Sequence, residues 1–86
     1  MQIVATKRFG KRLRKQPVKI KKEFKKRIRL FTSDMFHPLL NTHKLSGKAK
    51  NMWSFNISGD IRVVFDANQK GVVILVDIGS HSELYS

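Results

Sequence analysis

The apolar residues of this chain keep two different periods, and the changeover divides it. Residues 2–5, QIVA, are short, apolar and partly β-branched; they predict a first strand, with Thr6 placed to cap the helix that follows. Phe9 and Leu13 share one helical face at i and i+4. Gly10 weakens this helix, and Pro17 ends it or opens the next one in its first turn. In PVKIKKEFKKRIRLF, Ile20, Phe24, Ile28 and Phe31 recur every three or four residues while lysine and arginine fill the other positions. That spacing predicts an amphipathic helix with one buried stripe.

After Phe31 the helical period stops. TSDMFHPLLNTHKLSGKAKN has no steady pattern and carries Pro38 and Gly47, so it reads as an irregular connection of about 20 residues, a length often functional in a compact domain. A period of two then begins. Trp53, Phe55 and Ile57 alternate in MWSFNIS, Ile61, Val63 and Phe65 in IRVVFD, and VVILVDI is apolar almost throughout. The connections SGD and DANQKG are short enough for antiparallel hairpins, and the last run suits a central strand covered on both faces. The expectation is one α+β domain over residues 1–86: two N-terminal helices on one face of a small, mainly antiparallel sheet of about four strands, then a short tail. Ser54, Asn56 and Arg62, out of phase with the apolar set, should look onto an open, partly polar face.

Charge is the strongest feature of the composition. The 86 residues carry 18 Lys and Arg against 6 Asp and Glu, a net charge of +12. Most of these bases crowd between Lys7 and Arg29, with Glu23 the one acid among them, and such density favours phosphate contact through counterion release. The residues expected to hold RNA are Lys7, Arg8, Lys11, Arg12, Lys22, Lys25, Lys26, Arg29, Lys48 and Lys50. This footprint supplies affinity, not sequence choice. There is no cysteine, so disulfides and thiolate metal sites are excluded and a reducing cytoplasm is permitted. His37, His43 and His81 have no metal-ligand spacing, and no metal or other cofactor is expected. No apolar run approaches the roughly 20 residues that cross a bilayer, nor does MQIVATKRFGKR look like a signal peptide. A soluble, cytoplasmic protein without a membrane partner is expected.

The segments HKLSGK, MWSFNISGDIRVVF and ILVDIGSHSELY, in this order after two basic helices, resemble the RelE/ParE superfamily of bacterial and archaeal type II toxins, and within it the RelE and YafQ-like mRNA endonucleases. The resemblance spans essentially the whole chain. It implies a RelE-like fold and a metal-independent endoribonuclease that cleaves messenger RNA in the ribosomal A site. The ribose 2′-oxygen attacks the adjacent phosphate, leaving a 2′,3′-cyclic phosphate and a 5′-hydroxyl. That chemistry needs a base for the 2′-hydroxyl proton, positive groups for the developing phosphorane charge, and an acid for the leaving oxygen.

By the same resemblance, His81 stands where histidine-using members place their catalytic histidine, and an imidazole exchanges protons near neutral pH. Arg62 stands where an arginine faces the phosphate; its guanidinium can donate two bonds and keeps its charge. Tyr85 matches an aromatic that stacks on or orients a nucleotide. His43 opens the H-x-L-x-G segment of YafQ-like members and could assist proton transfer, while Asp60 matches a turn aspartate that could orient a histidine through its ring N–H. Each has a plainer reading as a tail, surface or turn residue. The chain also departs from the pattern: Ser54 and Asn56 replace outward lysines or a histidine, and Asp77 replaces an arginine. Phosphate-stabilising charge looks thin, and Arg62, helped by Lys48 or Lys50, would bear more of it.

The partners implied are the ribosome with its rRNA, the mRNA substrate, and a neutralising antitoxin of the RelB/DinJ kind with an acidic or amphipathic segment that folds on contact. Two alternatives remain. One is a ParE-like inhibitor of DNA gyrase without nuclease chemistry; the other is a non-catalytic RNA-binding protein, a decayed toxin.

Overall fold

The computed structural model describes residues 1–47 and 51–85. Among them run β1 (Gln2–Ala5), α1 (Lys7–Arg14), α2 (Val18–Ser33), a 3-10 turn (Pro38–Leu40), β2 (His43–Lys44), β3 (Met52–Ser58), β4 (Ile61–Asp66), β5 (Val72–Gly79) and α3 (His81–Tyr85). Thr6 caps α1 as its sequence position predicts: its Oγ1 accepts from the Phe9 N–H at 3.1 Å, while the hydroxyl donates to the Val76 carbonyl at 3.2 Å. One side chain thus starts the helix and ties it to β5. Pro17 is the cap of α2, and its carbonyl accepts from Ile20 and Lys21 at 3.0 Å.

The sheet order is β1-β5-β4-β3-β2, with β1 parallel to β5 and every other pair antiparallel. The apolar β5 is internal, between β1 and β4, as its composition predicts. Gly59, at φ +53°, turns β3 into β4, a conformation that disfavours a Cβ.

Both helices cover one face. Phe31 stacks on Phe55 with ring centroids 4.6 Å apart and meets Phe65 edge-on at 5.0 Å; Phe9 joins Phe24 at 5.5 Å. Of the predicted stripe, Phe31 is fully buried, and Ile20, Phe24 and Ile28 pack against the core partly covered. Phe55, Ile57, Val63, Phe65, Val73, Leu75 and Ile78 supply the sheet side.

Two expectations need correcting. The described sheet has five strands where about four were expected, because β2 forms inside the segment that looked irregular. A two-residue strand has no readable period; it exists through pairing of His43 with Ser54 and Lys44 with Trp53, closed by the Leu45 N–H to Met52 carbonyl bond at 2.8 Å. The short tail is instead the helix α3. Ser80 Oγ accepts from the Glu83 N–H at 3.2 Å, and Glu83 Oε1 accepts from the Ser80 N–H at 2.8 Å, a reciprocal capping box.

The register sets out the opposite face in rows. His43, Ser54, Val64 and Asp77 form one row, and Asn56, Arg62 and Gly79 form the next. At about 4.8 Å between strands, the first row spans about 14 Å. It is less open than its sequence suggests, since Ser54 is fully buried and Val64 and Asp77 nearly so.

Candidate functional site

The turn between β3 and β4 places Asp60 where one carboxylate serves two elements. Its Oδ1 accepts from Arg62 Nη2 at 3.0 Å, and its Oδ2 accepts from the main-chain N–H of His81 at 3.2 Å. Asp60 therefore holds the first residue of α3 by its backbone. The expectation that it accepts from an imidazole ring is corrected in one respect: the His81 group that it accepts from is the main-chain N–H, not the ring. Arg62 is largely covered, and its Nε is buried without an acceptor among the described residues. Such an unmatched donor costs about 1–3 kcal/mol.

His81 and Tyr85 lie one turn apart on α3, with the rings edge to face at 4.8 Å, and both side chains are exposed. The capping box fixes the helix that carries them. Its backbone and hydroxyl bonds from Ser80 hold the Glu83 carboxyl below its ordinary value of 4.5, with a smaller contribution from Arg12. Arg12 reaches both Glu83, at 3.9 Å, and Asp77, at 3.4 Å, while Arg8 Nε donates to Asp77 Oδ2 at 3.0 Å. Helix α1 thus braces β5 and α3 through charge.

His43 stands apart from this group, at the β2 edge and two strands from Arg62. Its Nδ1 lies 2.8 Å from the Asn41 carbonyl. A carbonyl only accepts, so that nitrogen carries the proton of the neutral ring and leaves Nε2 as the lone-pair nitrogen. Nε2 faces Ser54 Oγ at 3.5 Å, a long contact. His43 is thus a ring of fixed tautomer over the face, and the structure joins Asp60, Arg62, His81 and Tyr85 without joining His43 to them.

The basic residues fall on two surfaces. Lys7, Arg8, Lys11 and Arg12, with Lys15, line a shallow groove of about 360 Å³ along α1. Lys22, Lys25, Lys26 and Arg29 are all exposed and recur at helical spacing along α2, one continuous stripe. Lys48 and Lys50 lie outside the described residues. No group of three or more His, Asp or Glu among the described residues could hold a metal ion.

Three contributors escape a reading by residue type. Ser80 and Glu83 are legible after the fact, since SHSE is the S-x-x-E signature of a helix start. Asp77 is not: in sequence it only subtracts positive charge, and its two arginine partners, Arg8 and Arg12, lie at the other end of the chain.

A family model described as the bacterial toxin of type II toxin-antitoxin systems, YafQ, matches residues 1–86. Among solved structures, the chain is similar to YafQ from E. coli strain BL21(DE3), at 13% identity, 99% coverage of this chain and 98% of that one, TM-score 0.80. It is similar to the toxin in the E. coli DinJ-YafQ complex, at 14% identity, 99% and 98% coverage and TM-score 0.77. A metal-bound toxin from Helicobacter pylori is 27% identical over 99% of both chains, with TM-score 0.72. The two E. coli likenesses, at such identity, are likenesses of fold. No curated protein matches in sequence.

Proposed function

Because the chain belongs to the YafQ family of type II toxins, we propose that it is an mRNA endonuclease of the translating ribosome, cutting by 2′-hydroxyl attack and held in check by a cognate antitoxin. The observation that carries this reading is the Asp60 junction, which ties a guanidinium on β4 to the helix bearing an exposed imidazole and an exposed phenol ring. A phosphodiester on that face would meet a charge that cannot titrate, a proton carrier and a stacking surface together.

In this mechanism His43, reaching over the face from the β2 edge with Nε2 as the lone-pair nitrogen of its neutral ring, takes the proton from the 2′-hydroxyl. The freed oxygen attacks phosphorus, and Arg62 holds the charge that gathers on the phosphorane oxygens. His81, protonated, gives its proton to the departing 5′-oxygen. Tyr85, set against His81, orients the neighbouring base. Asp60 acts through Arg62 and His81 and touches no reacting atom. The basic stripe of α2 and the α1 groove would bind rRNA, a sequence-independent attachment suited to a body of net charge +12.

The partner follows from the same charge. E. coli YafQ has been solved with DinJ, and here an acidic or amphipathic antitoxin segment is expected to cover part of the basic surface. The test is to induce the protein in cells and map mRNA 5′ ends beside His81→Ala and Arg62→Ala. In-frame cuts in the wild type, reduced at least about 100-fold in both variants, are expected. Intact messages with DNA damage would replace the reading with gyrase inhibition, and intact messages and DNA with a non-catalytic RNA binder.

A further inference from the structure

Asp77 is the only buried charged side chain among the described residues, and a buried carboxylate persists only when it is paired. Its partners come from another layer of the fold, Arg8 and Arg12 of α1. The two arginines are not equivalent. Arg12 is largely covered and lies between two carboxylates, Asp77 and Glu83, which offset much of its charge. Arg8 engages Asp77 through Nε alone, and its side chain is 66% exposed. Both of its terminal nitrogens make no other hydrogen bond among the described residues.

The register places the carboxylate that holds this guanidinium. Asp77 pairs with Val64 and Gly79 pairs with Arg62, so Asp77 is the diagonal neighbour of Arg62 on the face away from the helices. Such neighbours lie about 7–8 Å apart, within reach of long side chains around one ligand. A carboxylate on Nε fixes the plane of the fork and leaves its two outer nitrogens to meet two phosphate oxygens.

We infer that Arg8, aimed by Asp77, is a second phosphate-binding guanidinium of the message site, acting beside Arg62, with Asp77 as its positioning residue. The inference rests on the nuclease reading above. It moves Arg8 from the rRNA-holding surface to the message, and it gives Asp77 a positive consequence: the acid recruits an arginine from helix α1 to the sheet face.

Cleavage of a defined message on programmed ribosomes tests this in wild type, Arg8→Ala, Arg8→Lys, Asp77→Asn and the Arg8→Ala/Asp77→Asn pair. Arg8→Ala should lower kcat about 100-fold with KM nearly unchanged. Asp77→Asn should lose a similar factor, the pair should be no worse than Arg8→Ala alone, and lysine at position 8 should restore little. If Asp77→Asn does not fold, the Arg8 variants, altered only at an exposed side chain, decide the matter. A kcat within about twofold of wild type in Arg8→Ala, or an effect confined to KM, overturns the inference and leaves the nuclease reading standing. Full recovery by lysine overturns it as well, while a wild type that does not cut overturns both.

Discussion

At the proposed site, Asp60 is expected to bear on activity and hardly on stability. Its pair with Arg62 is at the surface, and such pairs contribute about 0–1 kcal/mol, screened further by salt. The same carboxylate fixes Arg62 and the first residue of α3, so its loss loosens both at once. Asp60→Asn should therefore lower cleavage at least about tenfold while moving Tm by no more than a few degrees. Unchanged cleavage with an unchanged melting curve would remove Asp60 from the account. At this scale the sequence exposed candidates but not their connections. Asp60 was visible in SGD and His81 in GSHS, yet a contact across 21 positions is set by the path of the sheet. His43 was likewise visible as a residue, whereas its tautomer depends on the left-handed turn at Asn41, whose carbonyl accepts from the Nδ1–H.

Among the elements, the long periodic ones were readable and the short ones were not. The α2 stripe and the alternation in β3 and β4 repeat often enough to define a face. Two residues in β2 and five in α3 do not, and both elements exist through partners: β2 through the edge of β3, α3 through its capping box. That box makes α3 sensitive to acid. Glu83 has its carboxyl pulled below 4.5, mainly by the Ser80 bonds. A group with a lowered folded value stabilises fully above its unfolded value, and the contribution fades as pH falls through the folded one. Amide exchange protection of α3 should hold from neutral pH down to about 4.5 and decline below it, and Glu83→Gln should abolish that pH dependence. An α3 whose protection ignores both acid and the substitution would contradict the capping role.

For the whole molecule, one division of labour organises the fold. The helices give their apolar stripes to one sheet face and their bases to solvent, and the other face carries the polar groups. Two arginines cross between these parts at Asp77, so charge on α1 bears on the sheet face. The sequence revealed the division, since period and charge run together along α2, but the crossing depends on an acid that composition alone counts as a loss. On the proposed reading, this face makes the message attack itself. The most direct measurement replaces one ribose in the ribosomal A site of a programmed message by its 2′-deoxy form and analyses the cut ends. The all-ribose message is expected to yield a 2′,3′-cyclic phosphate and a 5′-hydroxyl, and the substituted one no cut at the deoxy position. Cleavage beside the deoxy sugar, or a 5′-phosphate on the downstream fragment, would contradict it.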